Sequence, residues 1–190
     1  TETLWPITDN LKAGANLDYY TKRGWFRGPR YVFENANIYS ELNTGYISDR
    51  GLRGVDSRGV AIDKERGLVD FRHKQQVGNL QLTQLVQYWS DSEIMRDFRP
   101  GDYRENQAPE SFTEAVLPLS NAYVSLFARY DPNNFDAVPR TLPELRVDLL
   151  PTRLANTGAY YSFYNSFARI EESEKSYDRY DGIFTLTRPY

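Results

Sequence analysis

The side chains best suited to chemistry are few. Asp91, Glu93 and Asp97 stand close together beside Arg96. Two carboxylates at a suitable separation are the equipment of a glycoside hydrolase. Acidic loop clusters with basic neighbours, however, are ordinarily solvated or bridge those neighbours, and we read this one as non-catalytic. His73 is the only histidine and lies between Arg72 and Lys74; acid–base work would require a nucleophile or metal partner that nothing nearby supplies, so it reads as a wall residue. Asp49, Asp56 and Asp63 lack the spacing of a calcium loop, and no glycine-rich phosphate cradle follows a strand. The absence of cysteine excludes disulfides, thiolate metal sites and thiol nucleophiles. The expectation is a non-enzyme with no cofactor and no metal.

The elements that carry these residues are strands. Residues 66–98 form a hairpin closed at Val77-Gly78-Asn79 and followed by the acidic segment. In its second arm Leu80, Leu82, Val86 and Tyr88 share one face with Gln84. Gln81, Thr83 and Gln87 share the other with Leu85 and Trp89. That alternation gives one apolar and one mostly wettable face. Further alternating runs cover 11–20, 25–34, 37–47, 67–76, 110–119, 122–130, 145–150, 159–170 and 177–189. These are about ten strands of roughly the 9–11 residues that cross a bilayer at a tilt. Tight turns at Thr21-Lys22, Gly78-Asn79 and Ser120-Asn121 contrast with long polar loops near 48–65, 91–109 and 131–141. Short turns and long loops at opposite ends characterise outer-membrane barrels, whereas a soluble sandwich has short links at both.

Bulk properties agree with this reading. The 190 residues include 15 Tyr, 10 Phe and 3 Trp but one Met, a usage that favours strands and interfacial girdles. A mean hydropathy of -0.66 is low for a membrane protein, yet barrel strands dilute their lipid face with lumen residues. No window approaches the ~18 apolar residues of a spanning helix. A net charge of -3 and a pI of 5.3 speak against nucleic acid as a partner. The chain opens Thr1-Glu2-Thr3, without Met or a signal-like apolar run; we expect a fragment of a larger barrel, residues 1–190 forming part of one barrel domain. Pro6 and Pro29 each remove a ladder donor. They mark either a deliberately weak pairing or simply a strand start and a bulge.

Several short segments, taken in order, resemble the barrel of the LptD family of lipopolysaccharide-assembly proteins. They are Arg23-Gly24, Arg30-Tyr31-Val32-Phe33, Ser48-Asp49-Arg50-Gly51, Arg66-Gly67-Leu68 with Phe71 and His73, and Ser90-Asp91 through Asp97-Phe98. Leu142-Pro143-Glu144-Leu145 and Arg179-Tyr180-Asp181 through Arg188-Pro189 are similar to its strand starts. The resemblance implies an antiparallel transmembrane β-barrel of more than about two dozen strands, of which this chain is the N-terminal portion. It implies residence in the cell outer membrane of a Gram-negative bacterium and transport of lipopolysaccharide to a lateral exit. The implied partners are an LptE-like plug lipoprotein, periplasmic Lpt bridge components and outer-membrane lipid. On that footing Pro6 and Pro29 belong to the lateral gate. Asn16, Asp18, Arg30, Glu34, Tyr39 and Glu41 face the lumen as a substrate path; Leu11, Ala13, Leu17, Tyr31, Ile38 and Leu42 face lipid. The rival expectations are a general outer-membrane pore and a soluble glycan-binding β-sandwich.

Overall fold

A computed structural model describes residues 2–51, 54–133, 135, 138–172 and 175–189. Leu52 and Arg53 of the first long loop, Asn134, Asp136 and Ala137 of the third, and Ser173 and Glu174 of the last turn lie outside them. The chain is all-β, with eleven strands in one antiparallel sheet whose order is the order of the sequence. The strands are β1 (Glu2–Thr8), β2 (Leu11–Tyr20), β3 (Gly24–Glu34), β4 (Ile38–Ser48), β5 (Glu65–Val77) and β6 (Leu80–Trp89), then β7 (Phe112–Pro118), β8 (Ala122–Arg129), β9 (Arg140–Arg153), β10 (Tyr160–Glu172) and β11 (Lys175–Thr187). β1 and β11 end the order and do not pair with each other among the described residues.

The strand beyond the expected ten is β1. Its seven residues contain Pro6 and alternate poorly, so the sequence offers little signal there. It pairs with β2 from Glu2↔Asn16 to Thr8↔Leu11, with a register shift between Pro6 and Thr8. The segment after β6, expected to be loop, instead forms two short helices, α1 (Ile94–Phe98) and α2 (Pro100–Glu105). Ile94, Met95 and Phe98 stand at helical spacing and are buried. Pro100 opens α2, where its missing N–H costs nothing.

Contacts group the chain into two compact units. The first contains Thr1–Lys74, Gln84–Ser111 and Asp131–Ala137, and the second Gln75–Thr83, Phe112–Tyr130 and Val138–Tyr190. In the first, register sets opposed residues on common faces: Asp18↔Phe26, Asn16↔Gly28 and Gly14↔Arg30 between β2 and β3, and Arg30↔Asn43, Val32↔Glu41 and Glu34↔Tyr39 between β3 and β4. One face carries the dry core of Phe26, Ile47, Leu68, Trp89, Ile94, Met95 and Phe98, against which Tyr20, Tyr103 and Phe135 pack. Gly45 is required beneath it, since a Cβ there would lie 1.9 Å from the Phe26 ring. The opposite face presents large apolar side chains outward. Within β2, Asn16 is 0% exposed and Leu17 51%; in β3, Phe26 is 0% and Trp25 54%.

The second unit repeats the alternation. Ala115↔Leu126, Leu126↔Leu145, Leu145↔Phe167 and Phe167↔Tyr180 run across β7 to β11 on one face. Glu114↔Phe127, Phe127↔Glu144 and Glu144↔Ala168 occupy the other. Glu144 is 3% exposed beside Leu145 at 46%, and Ser166 is 1% beside Phe167 at 50%. At these positions of β9 and β10 the polar side chain is the covered one, and the aliphatic or aromatic one beside it is bare. A water-soluble sheet does the reverse.

Candidate functional site

The most highly organised polar cluster lies in the first unit, on the face that holds its core. Arg66, at the start of β5, alternates with Leu68 and so points to the same side; its side chain is fully buried. Its guanidinium donates from Nη1 to Asp49 at 3.0 Å and Asp97 at 2.9 Å, and from Nε and Nη2 to the two oxygens of Asp91 at 2.8 and 2.6 Å. Arg23, in the β2–β3 turn, forks onto the same acids, with Nη2 2.5 Å from Asp49 and 2.9 Å from Asp97. A buried charge survives only when its hydrogen-bonding capacity is used in this way. The Phe98 ring closes the cluster, 4.4 Å from the Arg23 guanidinium carbon and 5.2 Å from that of Arg66. It stacks on Phe26 with centroids 5.3 Å apart, and the Tyr20 hydroxyl donates to its carbonyl at 2.9 Å.

Titration follows from these partners. Burial alone would raise the carboxyl of Asp49, but bonds from Arg23, the Gly51 N–H and Arg66 hold it below the usual range. Asp97 is likewise penalised by burial and brought down by Arg23 and Arg66. The hydrogen bond to Asp49 raises Arg23 above its ordinary value, reinforced by Asp97. In the adjoining loop, burial disfavours charge on Asp56, yet the N–H groups of Val60 and Arg58, the Ser92 hydroxyl and the Arg58 guanidinium bring it down to about 2. Glu93 pairs with Arg96 along α1. Asp97 thus bridges Arg23 and Arg66, and Asp91 takes the other edge of Arg66.

The candidate path residues fall as follows. Register sets Asn16, Asp18, Arg30, Glu34, Tyr39 and Glu41 on the core-bearing face, and Leu11, Ala13, Leu17, Tyr31, Ile38 and Leu42 on the opposite one. The first six do not form one open surface. Asn16 is sealed, its amide donating to Asn43 Oδ1 at 2.5 Å and the Thr44 carbonyl at 2.8 Å. Asp18 accepts from Arg99 at 2.9 Å. Arg30 and Tyr39 converge on Glu41, at 3.3 and 2.7 Å. A cavity of about 290 Å³ is lined by Arg30 and Glu41, together with Asn43, Asp70, Arg72 and Arg99 among others. Its walls mix both signs of charge, which suits a hydrated path more than tight capture of an anion. Pro6 and Pro29 are not brought together, since β2 separates their strands; Pro29 opposes Ala15, and its carbonyl accepts from Thr44 at 2.7 Å. His73 stacks beside Phe71, with centroids 6.1 Å apart.

Sequence reasoning missed Arg66 as the hub and α1 as its cover. The helical spacing of Ile94, Met95 and Phe98 carried the signal for α1. Arg23, Asp49, Arg66, Asp91 and Asp97 come from four separate segments that the sequence singles out, and the fold gathers all four. No family model matches the chain, and no curated protein matches it. No helix among the described residues is long and apolar enough to cross a membrane, which leaves crossing by strands open. No metal-binding cluster of His, Cys, Asp or Glu occurs among them.

Proposed function

We propose that the chain is wall of an outer-membrane β-barrel that moves lipopolysaccharide from the periplasm to the outer leaflet and releases it through a lateral opening, in the manner of the LptD proteins it resembles. The observation that carries the membrane part is the inverted sheet: Leu17, Trp25, Leu145 and Phe167 are bare while Asn16, Arg66, Glu144 and Ser166 are covered. Bare apolar area on this scale requires an apolar surrounding, and strands alternating apolar-out and polar-in are the barrel solution. The convergence of the resembling segments on the Arg66 cluster supports the LptD part, because residues far apart in sequence then serve one structure. The seam is β1, which among the described residues pairs with β2 alone and has a proline without a donor and a register shift directly after it. The reaction is transport without catalysis. The polar face offers Arg30, Tyr39, Glu41 and their neighbours to sugar and phosphate groups, and the amphiphile leaves beside the weakly paired strand.

The test uses the full-length protein, to which this cysteine-free stretch contributes no competing thiols. A disulfide is engineered from Leu4 of β1 to the strand that lies against its free edge. Surface lipopolysaccharide should fall to background under oxidation and recover on reduction, while small solutes pass unchanged. Undiminished export with the seam locked would overturn the lateral exit beside β1.

A further inference from the structure

The outward face of the first unit carries an arginine where a lipid-facing wall should have none. Arg27 lies opposite Leu17 of β2 and Tyr46 of β4, one outward position in from Trp25. The Trp25 ring is 4.9 Å from that of Tyr19, and both are exposed, as aromatic residues are at the interfacial level of a bilayer. Arg27 is exposed and makes no ion pair among the described residues. The acid nearest in the chain of contacts is already engaged, since Glu65 accepts from the Tyr46 hydroxyl and from Ser48 at 2.8 Å. Beside Arg27 the wall thins into a groove of about 280 Å³. Its floor is Pro29, Thr44 and Gly67; its sides are Tyr46, Val69 and Tyr88. Gly67 leaves the gap because it has no side chain on a face where its neighbours Arg66 and Leu68 point the other way. The Thr44 hydroxyl is occupied, donating to the Pro29 carbonyl at 2.7 Å.

An apolar trough with an unpaired cation at its head has the layout of an anionic amphiphile. We propose that this groove seats one acyl chain of an anionic phospholipid of the surrounding bilayer, with the lipid phosphate on the Arg27 guanidinium. The inference rests on this face meeting lipid, as argued above, and adds a specific lipid site to it. A charged side chain on a lipid face is costly unless it meets a counter-charge. Guanidinium takes phosphate through two parallel hydrogen bonds, so the pairing is directional as well as electrostatic.

The experiment inserts the full chain into vesicles of phosphatidylcholine containing phosphatidylglycerol of matched chains, then extracts it gently and measures retained lipid by native mass spectrometry. Phosphatidylglycerol should be retained over phosphatidylcholine by roughly tenfold, the scale of one charge-assisted pair. Arg27→Gln should erase the headgroup preference and leave chain binding. Thr44→Leu, which fills the trough, should reduce retention of both lipids. A preference that survives Arg27→Gln, or retention that survives Thr44→Leu, overturns the site while leaving the membrane reading intact. A chain that never enters the vesicles overturns both.

Discussion

Asp91 and Glu144 are both covered carboxylates held by arginine, yet their surroundings differ. Asp91 shares the fully buried Arg66 with Asp49 and Asp97, beneath Phe98 and the rest of α1. Glu144 meets Arg146, whose side chain is 36% exposed, and the Ser166 hydroxyl, with Arg179 at 3.6 Å. The same alternation along the strands thus gives two kinds of inner surface. Where the chain folds back as helices, the polar face becomes a dry, interlocked core. Where it does not, the polar face is a set of small bridges whose arginines reach water. The first kind is suited to holding a wall rigid, the second to letting a hydrophilic group pass.

The sharpest contrast comes from removing the two arginines. Arg66→Met strands Asp91 and leaves Asp49 and Asp97 with Arg23 in a site from which water is excluded, and should cost ~3–5 kcal/mol, the scale for breaking a buried pair from one side. Arg146→Met removes a partly exposed partner but leaves Glu144 with the Ser166 hydroxyl and Arg179, and should cost less, ~1–2 kcal/mol. Denaturant unfolding of the inserted protein measures both. Equal losses would mean that the helices do not dry the Arg66 cluster, and the distinction between the two surfaces would go.

Sidedness gives the next effect. Leu126 lies among Ala115 and Leu145 on the bare face, while its neighbour Ser125 lies opposite Val116 and Arg146 on the other. Leu126→Arg should lose ~2–4 kcal/mol if the site is near the bilayer midplane and should lower the yield of inserted protein in a vesicle-assembly assay. Ser125→Arg should insert like the parent. The matching change in the first unit would not be neutral, because Asn16 is sealed between Asn43 and Thr44. Sequence alternation predicts the face of Asn16 but not its enclosure.

That limit separates what the sequence discloses from what it hides. Period-2 alternation exposes β2 to β11 and the side of each candidate residue, since a strand has only two faces and a one-residue slip exchanges them. The turns at Gly78 and at Ser120-Asn121 are legible for the same reason: Gly78 adopts φ +58, and Leu119 donates to the Ala122 carbonyl at 2.7 Å. β1 escapes because Pro6 and threonine-rich flanks blur the period. The Arg66 cluster escapes for a deeper reason. Its members lie 23 to 97 along the chain in turns, strand ends and a helix, and local pattern carries no information about which acids a buried arginine will meet. A strand-end arginine in register with a core leucine was the available hint.

The smallest expected effect is local and depends on pH. Asp56 accepts from the Val60 and Arg58 N–H groups at 2.8 Å each and from the Ser92 hydroxyl at 2.9 Å. Its carboxyl sits at about 2, down from 3.8. A folded value below the unfolded one means that the carboxylate's contribution is whole above pH 3.8 and disappears as pH falls through about 2. Amide exchange, corrected for its intrinsic pH dependence, should therefore show Val60 and Arg58 protected above that window and released below it. The turn at Ser120-Asn121 in the second unit is held by backbone bonds and by Asn121 donating to Thr152 at 3.2 Å, so Leu119 should keep its protection across the same range. Asp56→Asn should flatten the response of Val60. If Val60 and Leu119 instead lose protection together, acid is opening the whole sheet, and the loop is not separately clamped by its carboxylate.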